Sequence, residues 1–190
     1  MPWRGLLKDP LSYSWVPQYL TGYLRGAMLR LRYALDPRVE IGGGFVVEGP
    51  FRIEGAGKVR IGHGVKVRRS NTFPVCIRTL APDAQVTIGD GSELGGVQIL
   101  CGKEVILGER TLAANCRIQD TDFANLELDK WPGTVRTGKG VWLGLTSILL
   151  KGAEVGDWAI VAAGSVVERT VEGLALAMGN PARPIRGVFS

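Results

Sequence analysis

The chain has 190 residues, enough for one domain with a small appendage, and 45% are hydrophobic, so a sizeable core is expected and wholesale disorder is excluded. Lys and Arg number 23 against 18 Asp and Glu, a net charge of +5. That excess suits an anionic small molecule or an anionic membrane surface, not the dense basic clustering of a dedicated nucleic-acid binder, and no nucleic-acid partner is expected.

Residues 1–38 differ in composition from the remainder of the chain. From Val16, apolar residues fall at Tyr19, Leu20, Tyr23, Leu24, Ala27, Met28, Leu31 and Leu35. This i, i+3, i+4, i+7 spacing predicts an amphipathic helix. Pro37 should end it, because it pushes Asp36 out of the α region. Arg25, Arg30 and Arg32 decorate the segment. Two readings stay open. The apolar stripe packs on the rest of the protein or on a neighbouring subunit; or the segment makes peripheral contact with an anionic membrane, Trp3, Tyr13 and Trp15 lying at the interface. No run of roughly 20 apolar residues exists. Met1-Pro2-Trp3-Arg4 begins no secretory signal pattern. The expected location is the cytoplasm, with the inner membrane surface as the alternative to free solution. Three Cys, an odd and small count, argue for a reducing compartment.

From residue 39 to 187 the chain is periodic. Ile41, Val47, Ile53 and Val59 are six apart, and Leu143, Leu149, Val155, Val161 and Val167 keep the same step. Four positions after each of the latter come Ser147, Ala153, Ala159, Ser165 and Val171, nearly all small. A period of six is neither 3.6 nor 2.0, so neither a helix nor a half-buried hairpin sheet explains it. A solenoid of short strands does: three hexapeptides make a triangular coil, the aliphatic residue points inward, and the small one fills the corner. Gly, at 27 of 190, is about twice its usual share of roughly 7%, which tight corners explain. The frame slips by two at Val59/Ile61, Val86/Ile88, Val105/Leu107 and Val141/Leu143, read as joins between coils. The pattern lapses near 68–85 and 119–140. Such lapses are read as excursion loops with a functional use.

The words Val141-Trp142-Leu143-Gly144, Val155-Gly156-Asp157, Ala163-Gly164-Ser165-Val166-Val167 and Gly179-Asn180-Pro181-Ala182-Arg183 carry a resemblance. In this order and spacing they resemble the C-terminal signature of hexapeptide-repeat acyltransferases. The likeness is to the maltose and galactoside acetyltransferases and the sugar O-acetyltransferases of polysaccharide biosynthesis. The resemblance implies a left-handed parallel β-helix, a homotrimer, and acetyl-CoA lying between two subunits, with no metal. It implies backbone contacts to the donor at Gly144, Leu145 and Ala163, and basic contacts at Arg169, Arg183 and Arg186. Arg suits phosphate because its planar fork binds with two parallel bonds. Trp142 is either a platform beside the nucleotide or filler between subunits.

The implied chemistry is direct transfer, a His taking the proton of an acceptor hydroxyl. A sugar hydroxyl is a poor nucleophile until its proton has somewhere to go. In many relatives the His closes a word of the form Asp-x-Asp-Phe-His. Here the word is Asp120-Thr121-Asp122-Phe123-Ala124. Three explanations stand: Ala124 is an engineered replacement, a natural loss in a protein that now binds or scaffolds, or a sign that another group serves. Asp120, Asp122 and Glu127 are candidates for that group. His63, the single imidazole, lies in an Ile-Gly-x-Gly-Val turn several coils earlier and reads as a surface turn. A metal site built on three His cannot be made from one imidazole. Cys76, Cys101 and Cys116 read as packing residues rather than nucleophiles. The expected function is an acetyl-CoA-dependent O-acetyltransferase acting on a sugar or lipid-linked glycan precursor, impaired by Ala124. The alternative is a non-catalytic trimer that binds CoA or a glycan. Asn71, Arg78 and Trp131 are the acceptor candidates, chosen by polarity and position in the unpatterned stretches.

Overall fold

The computed structural model describes residues 15–121 and 133–185, apart from the side chains of 15–19. Asp122, Ala124, Trp131 and Arg186 therefore lie outside the described residues. After one helix the chain winds as a left-handed parallel β-helix with three faces. The first face stacks seven strands, from Val39–Ile41 to Thr170–Val171. The second has eight: seven parallel strands from Val46–Val47 to Leu176–Gly179, and Ala182–Ile185 added antiparallel at the edge as the eighth. The third stacks six, from Phe51–Glu54 to Val166–Val167.

The hexad maps directly onto these faces. Leu143 points inward on the second face, Leu149 on the third, Val155 on the first, Val161 on the second and Val167 on the third, none more than 2% exposed. Ser147, Ala153, Ala159 and Ser165 fill the corners and are wholly buried. Val171 departs from that series: it is an inward strand residue paired with Val155, because the last coil is shorter than the one below. Across coils the register is aliphatic on aliphatic, Val59 on Val86 on Val105 on Val135. Each coil therefore buries its apolar side chains against equivalents above and below.

Three details differ from the sequence expectations. Val59/Ile61, Val86/Ile88 and Val105/Leu107 are not joins between coils; each pair lies on one strand of the first face, both members inward. Likewise Val141 and Leu143 both face inward at the second face. The lapse at 68–85 contains the strand Val75–Thr79, whose Val75, Ile77 and Thr79 point inward between neighbouring strands of the third face. Only the stretch between Arg68 and Val75 leaves the coil. The lapse at 119–140 likewise narrows, because Thr134–Thr137 is a paired strand of the first face. Flanking prolines mask these strands without breaking them, since Pro74 and Pro82 sit just outside the ladder.

The corner between the first and second faces needs left-handed backbone. Gly64, Gly91 and Gly140 supply it at φ of 67°, 67° and 66°. Arg110, Trp158 and Leu174 adopt it too, at 55°, 60° and 59°. Each N–H in this column donates to a carbonyl of the coil below, as Gly91 to His63 and Trp158 to Lys139, so neighbouring coils hold the conformation in place.

Helix α1 spans Trp15–Tyr33, ending one turn before Pro37. Its glycines, not its apolar stripe, dock on the coil. Gly22 and Gly26 are buried over Phe45 and Val46. Leu20, Leu24, Met28 and Leu31 face away from the coil. The packing expectation for the stripe thus fails within one chain. Gly residues allow closer approach than leucines, and the backbone at Phe45 lies too near Gly26 for a larger residue. No helix among the described residues is long and apolar enough to cross a membrane.

This docking predicts an asymmetry. A Cβ at Gly26 would run into the Phe45 carbonyl, whereas at Gly22 the nearest atom is the Val46 Cγ1 methyl at 3.0 Å. Gly26→Ala should therefore destabilise by about 1–3 kcal/mol, as overpacking does, and Gly22→Ala by much less. Thermal unfolding of the two variants measures this; equal losses would mean the helix is not seated at Gly26.

Candidate functional site

The corner between the second and third faces carries the short excursion. It leaves after Arg68 and rejoins at Val75. Ser70 anchors it by donating from its hydroxyl to Asn115 Oδ1 at 2.6 Å, and Ser70 Oγ also accepts from the Thr72 N–H at 3.1 Å. Asn115 turns the chain there with φ of 47°, a conformation Asn tolerates better than most residues. Gly96 leaves the room: a Cβ on it would meet both Asn115 and Ser70.

The anchored excursion forms one wall of a cleft of about 610 Å³. Arg69 and Asn71 of the excursion line it together with Asn115, Leu112 and Trp142. Trp142 begins a strand, pairs with Leu112 and Ile160, and leaves its indole 53% exposed. Its platform is thus an outward apolar ladder on the second face. Arg68, also on the cleft, is spent on Glu48 and Glu93 at 3.0 and 2.9 Å. Burial pushes the Glu93 carboxyl up, but hydrogen bonds from Arg68 and Lys66 outweigh it and hold the group below the usual carboxylate range. Arg69 has no such partner among the described residues.

Three candidate donor contacts meet at the same corner. Thr146 gives its N–H to the Asn115 carbonyl, so the Leu145–Thr146 turn stacks on Asn115. The Gly144 N–H is spent on Val161 O and its carbonyl accepts from Ser147, so neither is open to a ligand. Gly144 is instead a packing glycine, whose absent Cβ would sit 2.6 Å from Ala163 N. The Leu145 N–H and both backbone groups of Ala163 have no described partner, and both residues are exposed. Arg183 lies across from Met178 on the antiparallel edge strand and bonds only its neighbour's carbonyl, Ala182 O, at 3.1 Å. Arg169 lies 3.9 Å from Glu168, a loose pair, at the corner between the third and first faces.

Other expected residues are elsewhere. Arg78 is on the third face, gripped by Glu54 at 2.6 Å, apart from the Asn71 cleft. His63 sits at the first–second corner, where its Nδ1 accepts the Gly43 N–H at 3.0 Å. Asp120 is fully buried and its carboxylate accepts three backbone N–H groups, from Gly102, Lys103 and Glu104, at 2.6–2.8 Å. It staples a turn and is not free to act as a base. Gly133 N–H returns to the Asp120 carbonyl at 2.9 Å, so the chain leaves and rejoins the coil at one neck between the third and first faces. Among the described residues no cluster of His, Cys, Asp and Glu could hold a metal ion. Ser70 and Asn115 escaped the reading of the sequence. The signal was present in Asn115, a turn-tolerant residue at a corner position where the repeat supplies no Gly.

No family model matches the chain. Over 127 residues it is 30% identical to a chloramphenicol acetyltransferase from Agrobacterium fabrum, spanning 63% of this chain and 61% of that one. The chain spans less than two thirds of the length of the curated relatives it matches. Among solved structures it resembles a variant of AntD, an N-acyltransferase from Bacillus cereus in complex with dTDP and coenzyme A. The TM-score is 0.64 at 19% identity, over 77% of this chain and 81% of that one. It also resembles a hexapeptide-repeat-containing acetyltransferase from Vibrio cholerae, with a TM-score of 0.56 at 19% identity, over 90% and 93% of the two chains. The chain shares the fold of these acyltransferases.

Within this acyltransferase fold Cys101 and Cys116 are packing residues, whereas Cys76 lies on the outward side of its strand and is half-buried. Burial pushes the Cys116 thiol up to about 12. Burial, reinforced by the neighbouring Asp120 carboxylate, pushes Cys101 higher still. A raised pKa means less thiolate at any given pH. At pH 8 the folded protein should therefore leave Cys101 and Cys116 unreacted with a disulfide reagent, and denaturation should make all three Cys reactive. Rapid modification of either one in the native protein would contradict this packing.

Proposed function

We propose that the protein is an acyl-CoA-dependent acyltransferase, with acetyl-CoA as donor and a hydroxyl of a sugar or glycan precursor as acceptor. One observation carries the reading: Asn71 and Trp142, far apart in sequence, line one cleft with Asn115, and at the same corner of the solenoid the amides of Leu145 and Ala163 have no described partner. Open amides on a rigid coil suit the pantetheine arm of CoA, and the guanidinium of Arg183 suits its phosphates, the role the resemblance implies also for Arg169 and Arg186. Trp142 offers an aromatic surface to the donor. AntD's bound dTDP and coenzyme A support a nucleotide-bearing ligand and a thioester donor for a coil of this kind.

The proposed chemistry is attack of the acceptor oxygen on the thioester carbonyl, departure of the CoA thiolate and loss of the hydroxyl proton. Backbone amides at the corner would stabilise the oxyanion. The proton needs a base, and the position where the resemblance expects His is Ala124. Asp120 cannot substitute, since its carboxylate is spent on three amides. Asp122 is the remaining carboxylate of that word. The Asp120–Gly133 neck and the Asn71 cleft stand at different corners of the solenoid. A site using both corners has to combine two chains, which supports a homotrimer with its sites between subunits. Three free cysteines favour a reducing, cytoplasmic setting.

A second reading is a non-catalytic trimer that binds CoA or a glycan. The sole imidazole, His63, lies at another corner and is engaged with Gly43, which favours this reading for the chain as it stands.

Titration of acetyl-CoA should give saturable binding with one site per chain, weakened by Trp142→Ala and by Arg183→Ala. No binding at millimolar acetyl-CoA by the folded protein would remove the donor site. If the protein is an acyltransferase lacking its base, Ala124→His should raise turnover by about 10²–10⁴-fold with one acceptor from a panel of hydroxyl and amino sugars. Binding without any rate gain across that panel would leave the scaffold reading in possession.

A further inference from the structure

Helix α1 has two apolar sides and only one is used. At 3.6 residues per turn, Gly22, Gly26 and Leu29 share the side facing the coil. Leu20, Leu24, Met28 and Leu31 lie on the opposite side, with Leu35 continuing the stripe, all between 58% and 92% exposed. The helix contains no acidic residue. Arg25 and Arg32 flank the outward stripe on one border and Arg30 on the other. Arg30 donates to the Ile41 carbonyl at 3.2 Å. Arg25 and Arg32 have no described partner.

Beside this border opens a second cleft, of about 760 Å³, between the helix and the first coils. Arg25, Arg32 and Arg69 surround it, over apolar walls that include Met28, Leu29 and Phe51. Glu48 also lines it, but its carboxylate is bound by Arg68 at 3.0 Å. Elsewhere Arg38, Arg60, Arg78 and Arg136 are each paired with a carboxylate. Three guanidinium groups without a described partner converge here, where an apolar stripe is left bare.

We propose that this end of the protein docks on an anionic phospholipid surface, the outward stripe of α1 entering the interface while the Arg25–Arg32–Arg69 cleft holds a lipid phosphate. Two weak signals are combined here, as stable peripheral binding requires. Apolar side chains enter the headgroup boundary, and basic groups add electrostatic attraction. Arginine suits the cleft because its fork matches phosphate oxygens in pairs. Met28 borders both the stripe and the cleft, so one orientation engages both. Charge complementarity selects this occupant over a second copy of the chain, whose matching helix would bring the same unpaired arginines together. The docking is independent of whether acyl transfer occurs.

The test is flotation of the full-length protein with vesicles of phosphatidylcholine alone or mixed with phosphatidylglycerol. Partitioning should be strong only on the anionic vesicles and should fall as salt rises. Arg25→Gln with Arg32→Gln should weaken it by roughly fivefold per arginine. Leu24→Ser with Met28→Ser and Leu31→Ser should abolish it, leaving thermal unfolding and light-scattering mass unchanged because these side chains do not touch the coil. Equal partitioning on both vesicles, or none on either, would overturn the proposal. So would a serine variant whose oligomer falls apart, which would assign the stripe to a second copy. Thermal stabilisation by inorganic phosphate without vesicle binding would make the cleft a soluble-anion site and also overturn it.

Discussion

Each coil of this protein is bonded, strand by strand, to the coil above and the coil below on three faces, and everything else accommodates that ladder. The inward aliphatic residues stay in line only while the register holds. A slip by one residue would turn an inward set such as Val59, Val86, Val105 and Val135 outward. Extra residues can therefore enter only between strands. Both departures from the coil obey this, one between Arg68 and Val75 and the other at the Asp120–Gly133 neck. Corners are the only places where the fold tolerates variation, so they are where a site can be built.

The corners differ in what they leave unbonded. At the first–second corner each amide of the left-handed column feeds the coil below, and His63 is spent on Gly43. At the third–first corner a buried carboxylate, Asp120, consumes three amides to hold the neck of the longer excursion. At the second–third corner, which also carries the anchored loop, the amides of Leu145 and Ala163 have no partner among the described residues. A ligand-binding surface made of backbone groups needs such a rigid support, since amides on a mobile loop would lose more entropy on binding.

The ends of the solenoid are covered by different means. Ala182–Ile185 folds back antiparallel on Leu176–Gly179 and covers the last strand of the second face. At the other end α1 lies against Val46, Phe45 and their neighbours through its glycines. The close seat at Gly26 leaves the leucines of the same helix no coil surface to bury. One packing choice thus creates the bare stripe, and arginines with no partner among the described residues lie beside it and give that stripe a chemical direction.

The hexad was sufficient by itself to determine the coil, the inward residues, the small corner residues and the glycine excess, because a six-residue period has no other close-packed solution. The helical period likewise marked α1 and its end before Pro37. Only the tertiary structure decided which side of α1 is buried, because periodicity identifies a stripe but not the partner it meets, and the glycines approached more closely than the leucines could. It decided that Val75–Thr79 is a strand, since pairing with two neighbours outweighs the lapse in local pattern. It separated Arg78 from Asn71 and joined Asn71 to Trp142, because the face a residue occupies depends on how many residues each coil spends at its corners. It spent Asp120 and Gly144 on the fold while leaving Leu145 and Ala163 open. A sequence records which donors and acceptors exist, but which of them remain unpaired is fixed only when distant coils stack.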